Sequence, residues 1–302
     1  MLKVYYPFNP HISRAMHRIR AALMKHAPPG VAFADDPREA DLHILDFIGQ
    51  HPTIEDRELN PTTGLMRAVP SLPKCRNYVI LYHCTAPPGS ELLSMDYRPL
   101  FENARLVVSY LKPEWTWEWG KLDWSKVEYF HTPWGYEPET FRYGGESKDV
   151  LCLMTGYVDV TEGLRAVWWA ARQVGGEVVH VGGSIGLDGE PGYKRYENVS
   201  DDLMRELYCR SEYVNAIRAH HGFEVVGIEG AACLAQPIYL DLPCYRHWFD
   251  DIGIFVDPDD VWDGLKRVFE TRPKRENLAE KVKRFEWGKI APRIWEEILK
   301  RL

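Results

Sequence analysis

Short glycine-containing turns after predicted strands are the parts of this sequence best suited to bind an anionic group. One turn contains Gly222 and Phe223 and leads into a helix that we predict to begin near Ile228, and other turns contain Gly156 and Gly183. Because glycine carries no side chain, backbone N–H groups and a helix N-terminus can approach negatively charged oxygens closely at such turns. The spacing therefore predicts anion-binding positions at the ends of several strands.

Acids and histidines near these turns are candidates for further chemistry. Glu229 falls in the first turn of the predicted helix, where the helix dipole stabilises a carboxylate, and Glu224 and His221 lie on either side of Gly222. His83 follows a predicted strand, a position from which an imidazole can hydrogen-bond a hydroxyl group. Simpler interpretations stay open: an acid that starts a helix for Glu229, an exposed loop pair for His221 and its neighbour, and a satisfied strand-end histidine for His83.

Other types of site do not fit the sequence. It contains no HExxH zinc motif, no paired Cys/His ligand set, no GxxxxGK[ST] phosphate loop and no GxSxG nucleophile elbow. The tryptophan-rich run over residues 114–119, with Trp124, fits either a stacking platform for a sugar or nucleobase or ordinary core packing. Because the metal-binding motifs are absent from the sequence, we predict no metal site.

The elements that must position these residues alternate between β-branched or aromatic runs and helical patterns, which is typical of parallel sheets with helical crossovers. Eleven strands are predicted, over residues 2–6, 31–34, 42–47, 78–82, 106–110, 127–130, 150–154, 177–181, 213–217, 238–240 and 254–256. Proline and glycine cluster in residues 132–145, as in a linker. The prediction is an α/β protein with two Rossmann-like βαβ domains, 1–135 and 136–286, and a ligand cleft beyond the carboxyl ends of their strands.

Composition narrows the class of protein. The 302 residues allow two domains, and 45% hydrophobic with 27% charged residues is the balance of a globular chain. The net charge of −7 argues against a protein that binds nucleic acid over its whole surface. No apolar run approaches the roughly 18 residues that span a bilayer, and we expect no signal peptide. The six cysteines form no CxxC pair, so we expect reduced thiols and a cytoplasmic protein.

Several motifs occur in a fixed order between residue 131 and the end of the chain. They are a helix pattern, a glycine turn with the helix after it, an interdomain crossing and a C-terminal pattern. The residues that form these motifs are Val199, Ser200, Leu203, Leu207, Tyr208, Gly222, Phe223, Glu229, Ala232, Cys233, Pro237, residues 131–141, Thr155, Gly156, Glu162, Gly163 and residues 285–291. Together they resemble the retaining GT-B glycosyltransferases, the large family that includes bacterial sugar transferases and sucrose synthases. Any one of these motifs alone would be weak.

The resemblance implies a reaction and roles for the candidate residues. It implies transfer of a sugar from a nucleoside diphosphate sugar to an acceptor hydroxyl, with retained configuration, no metal and no cofactor other than the donor substrate. Glu229 would bind the ribose, Gly222, Phe223 and Glu224 would shape the sugar site, and His83 would face it from the first domain. Residues 287–302 would form a helix that returns to that domain. The acceptor could be a glycan, a lipid headgroup, a small molecule or a modified nucleic-acid base.

Three departures from the family pattern concern charge. His221 stands where the family has the first glutamate of a pair, with seven residues between it and Glu229. Tyr157 and Glu162 stand where the family has an arginine and a lysine that neutralise the departing diphosphate. The available replacements are Arg218, His221, Lys194 and Arg195.

Two other functions stay open on the sequence alone. The missing basic pair favours a non-catalytic protein that binds a sugar nucleotide. The GT-B fold also hosts sugar-nucleotide epimerases, which would release a modified sugar without any acceptor. For the glycosyltransferase interpretation we predict two groups of site residues. The catalytic ones are His83, His221 and Glu224, and the donor-binding ones are Gly156, Gly183, Arg218, Gly222, Phe223 and Glu229.

Overall fold

The computed structural model of the chain describes residues 1–7, 14–48, 77–84, 98–115, 122–157, 159–219, 222–271 and 275–302. These residues divide into two compact units. Unit 1 comprises Met1–Trp134 together with Trp287–Leu302, and unit 2 comprises Gly135–Glu286. Each unit contains a six-stranded sheet in which every strand pairing is parallel.

Within the described ranges, the first part of unit 1, Met1–Trp134, contains the first six strands and two helices. These are β1 (Leu2–Tyr5), α1 (Arg14–Lys25), β2 (Val31–Phe33), β3 (Leu42–Ile48), β4 (Tyr78–Cys84), α2 (Arg98–Glu102), β5 (Leu106–Ser109) and β6 (Tyr129–His131). The strand order is β2-β1-β3-β4-β5-β6. Helix α1 forms because Met16, Ile19 and Leu23 recur at helical spacing, and all three are buried.

Unit 2 contains the remaining strands and seven helices. These are β7 (Val150–Gly156), α3 (Asp159–Glu162), α4 (Leu164–Gln173), β8 (Val178–Gly182), β9 (Tyr193–Tyr196), α5 (Asp201–Arg210), β10 (Ser211–Asn215), α6 (Val225–Ala232), β11 (Gln236–Leu240), α7 (Pro243–Phe249), β12 (Ile254–Val256), α8 (Val261–Glu270) and α9 (Leu278–Val282). Their order in the sheet is β12-β11-β10-β7-β8-β9.

The last helix, α10 (Trp287–Leu299), belongs to unit 1 although the whole of unit 2 precedes it in the chain. The indole Nε1 of Trp295 donates a hydrogen bond to the carbonyl of Leu23, at 2.8 Å. The apolar face of α10, including Trp295, Ile290 and Ile294, is buried. None of the helices within the described ranges is long and apolar enough to cross a membrane.

The strand order reverses direction once in each sheet, and this fixes where a ligand can sit. In unit 1 the reversal lies between β1 and β3, and in unit 2 it lies between β7 and β10. Helices that follow the two strands at such a point lie on opposite faces of the sheet, so a crevice opens at their carboxyl ends. The residues that follow Gly156 and Asn215 are therefore the first place to look for a site in unit 2.

Ten of the eleven predicted strands differ from the observed ones by one or two residues at their ends, and the strand over 254–256 matches. Two predictions need correction. Strand β9 was not among the predicted strands, because its sequence, Tyr193-Lys194-Arg195-Tyr196, is short and charged as suits an edge strand. Helix α6 begins at Val225 and not near Ile228, so Glu229 lies in its second turn.

Candidate functional site

The carboxyl end of β7 forms one wall of the candidate site in unit 2. Gly156, the last residue of β7, has a φ of +144°, a backbone conformation that only glycine adopts readily. The carboxylate of Glu162 lies against it, because a Cβ built on Gly156 would be 1.8 Å from Glu162 Oε2. The glycine is therefore required both by its backbone angle and by the approach of this carboxylate.

Arg218, which follows β10 on the other side of the reversal, is bracketed by two acids. Its Nη2 lies 3.3 Å from Glu162 Oε1 and its Nε lies 3.4 Å from Glu224 Oε2. All three side chains are largely buried, with exposed fractions of 14%, 12% and 13% for Arg218, Glu162 and Glu224. Nη1 of Arg218 also donates a hydrogen bond to the carbonyl of Ile217, at 2.7 Å. We refer to Glu162, Arg218 and Glu224 as the buried triad.

Burial decides the ionisation of this triad. It raises the pKa of Glu224 from 4.5 to about 7, because the desolvation of the carboxylate outweighs the attraction of Arg218, and the nearby Glu162 adds to the rise. The pKa of Arg218 is raised although burial lowers it, because Glu224 and Glu162 favour the guanidinium form. Near neutral pH Glu224 therefore exchanges a proton, while Arg218 stays positively charged.

The N-terminus of α6 adjoins the triad. Glu224 occupies the N-cap position, but its side chain makes no capping hydrogen bond to the helix. Gly222 lies beside it, since a Cβ on Gly222 would be 2.7 Å from Glu224 Oε1. Phe223, which we predicted as donor-binding, is buried with its ring 5.0 Å from that of Phe249 and 6.0 Å from that of Phe285. Its observed contacts are thus those of a core residue.

Glu229 lies one turn further along α6 than expected, and it is buried, with 1% of its surface exposed. Its Oε2 accepts a hydrogen bond from the hydroxyl of Tyr208, on α5, at 3.2 Å. The carboxylate nearest to the helix N-terminus is consequently that of Glu224, which corrects the first-turn position that we predicted for Glu229.

Gly183, predicted as donor-binding, lies near the site, whereas Arg195, a predicted replacement for the missing basic pair, lies on the edge strand. Gly183 follows β8, and a Cβ built on it would be 3.0 Å from the ring of Tyr157, the residue after Gly156. His180 supports the same turn, because its Nε2 lies 2.9 Å from the carbonyl of Gly156. Arg195 is instead paired with two acids: its Nε lies 2.6 Å from an oxygen of Asp188, and its Nη1 contacts Glu197. Its charge is therefore already neutralised.

Lys194, the neighbouring candidate, is stacked on an aromatic ring. Its Nζ lies 5.0 Å from the centroid of the Tyr196 ring. His221 and most of the tryptophan-rich run over 114–119 lie outside the described residues. Of the three predicted replacements that the structure describes, Arg218 is the one that lies at the strand reversal beside Gly156.

In unit 1, His83 lies in β4 and is buried. Its Nε2 lies 2.7 Å from Oδ1 of Asp46, in the neighbouring strand β3, and the Tyr6 hydroxyl donates to the same oxygen at 2.8 Å. The ring of Trp134 lies 5.2 Å from the imidazole. Tyr6 directly follows β1, so this group lies at the strand reversal of unit 1.

Sequence reasoning missed Glu162 and Asp46 as site residues. Each had a signal. Glu162 stands where the resemblance places a lysine, so its charge called for a cationic partner. Asp46 is the acid within the mostly apolar run Leu42–Ile48, and a carboxylate buried in a strand needs hydrogen-bond donors around it.

Solved structures of known proteins share this fold over nearly the whole of both chains. AviGT4, a glycosyltransferase involved in avilamycin A biosynthesis, is 14% identical with a TM-score of 0.63, covering 99% of this chain and 98% of that chain. Sucrose-phosphate synthase from Thermosynechococcus elongatus is 14% identical with a TM-score of 0.66 and covers 99% of each. Anabaena HepE, solved with UDP and glucose, is 10% identical with a TM-score of 0.65, covering 99% and 98%. The predicted GT-B fold is therefore confirmed.

Sequence comparison reaches a smaller part of the chain. A stretch of 78 residues is 35% identical to a protein of Sulfolobus islandicus filamentous virus (isolate Iceland/Hveragerdi) that is provisionally named glycosyltransferase 41. The matched stretch spans 26% of this chain and 23% of the viral protein. No protein-family model matches the chain.

Proposed function

We propose that this protein is a glycosyltransferase that moves a sugar from a nucleoside diphosphate sugar to an acceptor hydroxyl. The observation that carries the proposal is the buried triad at the strand reversal of unit 2. Arg218 supplies there the positive charge that Tyr157 and Glu162 do not. The GT-B fold and the viral relative support the same class of enzyme.

Arg218 retains capacity to bind a diphosphate while it is paired with the two acids. A guanidinium has five N–H donors. If Ile217, Glu162 and Glu224 each take one, two remain, one on each terminal nitrogen. Those donors and the uncapped N-terminus of α6 are the groups that would stabilise the charge on the departing diphosphate.

The two acids of the triad give this arrangement a specific property. A diphosphate adds negative charge beside Glu162 and Glu224, which disfavours ionisation of both carboxylates. Glu224 is the acid whose pKa is already raised to about 7, so it is the group that would take up a proton when the donor binds. The site would then present a protonated Glu224 and the guanidinium of Arg218 to the donor.

The proposal includes retention of configuration. In a retaining transfer of this kind the leaving diphosphate itself lies near the attacking hydroxyl, so no separate carboxylate nucleophile is needed. Retention is tested by NMR of the product: the anomeric coupling constant must be that of the donor sugar, and an inverted product would contradict the proposal.

The proposal also includes independence from divalent metals, because Arg218 and the α6 N-terminus neutralise the diphosphate. We therefore expect EDTA to leave turnover within about twofold of the untreated enzyme, since the charge that a metal would supply is already present. The measurement is nucleoside diphosphate release with and without EDTA. A loss of activity that Mn²⁺ restores would contradict this part of the proposal.

The first experiment is a thermal-shift panel of nucleoside diphosphates and their sugars, because a ligand at a hundred times its Kd adds about 2.7 kcal/mol to stability. UDP and UDP-glucose are the first probes, because HepE was solved with UDP and glucose. Each donor that binds is then incubated with glycan, lipid-headgroup, small-molecule and nucleobase acceptors. Binding without turnover on any acceptor would favour the non-catalytic alternative, and release of a modified sugar without an acceptor would favour an epimerase.

Glu229 provides a second test of the donor site. We propose that it binds the ribose hydroxyls, and charge-assisted hydrogen bonds of this kind contribute roughly 1.5–3 kcal/mol each. Glu229→Ala should therefore weaken UDP binding about 10- to 100-fold by calorimetry, with Glu229→Gln between that variant and the parent. Tyr208→Phe is the control, because it removes the 3.2 Å hydrogen bond to Glu229 but keeps the carboxylate. Parent-like UDP affinity in Glu229→Ala would contradict the assignment.

The compartment is part of the proposal as well. Cys152, Cys209, Cys233 and Cys244 are buried free thiols. Thiols that stay reduced are typical of proteins that work in the cytoplasm, and a nucleotide sugar is available there. We propose a cytoplasmic enzyme on these grounds.

A further inference from the structure

Asp46 and His83 form a carboxylate–imidazole pair inside unit 1. The two residues lie in adjacent strands β3 and β4, and their side chains are only 7% and 4% exposed. Nε2 of His83 and Oδ1 of Asp46 are 2.7 Å apart, which is a short hydrogen bond. The pair is thus enclosed and closely held.

Tyr6 shows which partner supplies the proton in that bond. Its hydroxyl donates to the same Oδ1, at 2.8 Å. Burial and the neighbouring Asp46 raise the pKa of Tyr6 well above its ordinary value, so the phenol keeps its proton and acts as donor. A carboxylate oxygen that accepts from Tyr6 can accept again from Nε2. In this arrangement the imidazole carries its proton on Nε2.

The second imidazole nitrogen has no such partner. Nδ1 of His83 is buried and makes no hydrogen bond within the part of the chain that the structure describes. The Tyr110 hydroxyl donates to the backbone carbonyl of His83, and the Trp134 ring lies against the imidazole. The first contact fixes the backbone of His83, and the second packs against its ring. A buried acceptor without a donor is costly, so this nitrogen calls for a donor that a bound molecule would supply.

We propose that Asp46 is a positioning residue that holds His83 in the Nε2-protonated tautomer, so that Nδ1 accepts a hydrogen bond from a hydroxyl group of a substrate. The location supports a ligand, because Tyr6 follows β1 and Asp46 lies in β3, the two strands between which the order of unit 1 reverses. The inference rests on the proposed function for one point, that a substrate carries a hydroxyl group.

The first experiment measures the tautomer directly, without any activity. In the full chain labelled with ¹⁵N-histidine, long-range ¹H–¹⁵N NMR correlations identify which nitrogen is protonated. His180 and His131 are internal references, because each has its Nε2 2.9 Å from a backbone carbonyl, which can only accept. We expect His83 to give the same pattern. A proton on Nδ1, or on both nitrogens, would overturn the proposal.

The second experiment changes Asp46. A leucine at this position has a similar shape but cannot accept a hydrogen bond, so it removes the oxygen that keeps the imidazole proton on Nε2. We expect Asp46→Leu to give a mixture of the two tautomers in the NMR spectrum and to lower kcat up to about 10-fold, the effect of one hydrogen bond between neutral partners. The Kd for UDP should stay within about twofold, because the donor-binding residues proposed above lie in unit 2. An unchanged pattern, or parent-like kcat, would overturn the proposal.

Tyr6→Phe is the matched control. It removes the other hydrogen bond to the same oxygen of Asp46 but leaves the carboxylate to accept from Nε2. We expect it to keep the Nε2-protonated pattern and most of the activity, and loss of that pattern would overturn the proposal. Failure of UDP binding together with the expected tautomer would count against the proposed function and not against the tautomer assignment, so the two failures are distinguishable.

Discussion

Arg218→Met is expected to abolish measurable UDP binding, with an affinity at least about 100-fold lower than that of the parent protein. The substitution removes the guanidinium that the two acids hold at the strand reversal, and with it two charge-assisted hydrogen bonds to the diphosphate. Isothermal titration calorimetry with UDP gives the result. Unchanged affinity would rule out the triad as the diphosphate site.

The same variant is expected to lose stability, because Glu162 and Glu224 remain buried without a counter-charge. Removing one partner of a buried ion pair typically costs about 3–5 kcal/mol. Arg246→Met is the matched control: Arg246 is also bracketed by two acids, Asp241 at 2.7 Å and Asp250 at 2.9 Å, but its side chain is 45% exposed. For such a surface pair the expected loss is at most about 1 kcal/mol.

A triple variant separates binding from folding. Adding Glu162→Gln and Glu224→Gln to Arg218→Met removes the uncompensated charges, so we expect most of the stability to return. UDP binding should not return, since no cation has been restored. If the triple variant binds UDP as the parent does, Arg218 acts only on stability.

The second large effect concerns pH. Because burial raises the pKa of Glu224 from 4.5 to about 7, the folded protein binds a proton over a range in which the unfolded chain has released it. The contribution of Glu224 to stability is therefore fully present below pH 4.5 and is lost as the pH rises through about 7. The size of this loss is as much as about 3 kcal/mol, from 1.36 kcal/mol for each unit of pKa shift.

Urea unfolding at pH 5 and at pH 8 measures the effect, with Glu224→Gln as the reference. Glutamine has the shape of the protonated acid and does not titrate, so the variant should lose less stability between the two pH values than the parent does. Titrating groups outside the buried triad are shared and cancel in the difference. Equal losses in the two proteins would show that Glu224 is ionised in the folded state at both pH values.

Much of the fold could be predicted from the sequence, because the residue patterns that indicate strands and helices are local. Apolar runs bounded by turn residues predicted eleven strands of the two sheets, and spaced motifs predicted the GT-B class. The predicted start of α6 was wrong for a local reason too. Val225 and Val226 are β-branched, and a glycine such as Gly227 is typical of a turn. The helix contains a glycine at this position because a Cβ there would lie 2.0 Å from the Tyr239 hydroxyl, so Gly227 reflects packing and not a turn.

The site was harder to predict, because its energetics come from residues distant in the chain. Glu162 and Arg218 are 56 positions apart, and no spacing rule pairs them. The raised pKa of Glu224 depends on burial, which a single sequence does not give. The bond between Asp46 and His83 depends on which two strands are neighbours in the sheet. Residue types indicated that these side chains could do chemistry, and only the fold shows which ones meet.

The place of α10 in unit 1 affects how the chain can fold on the ribosome. Residues 1–134 leave the exit tunnel first, but Trp287 and Trp295, which complete their core, follow only after residues 135–286. At roughly 5–20 residues per second, that intervening segment takes about 8–30 seconds to synthesise. During this interval nascent unit 1 exposes the apolar surface that α10 later covers, whereas unit 2 is contiguous and can fold as soon as it emerges. Unit 2 can thus finish folding before unit 1 does. Unit 1 is the one that needs protection from aggregation during this interval.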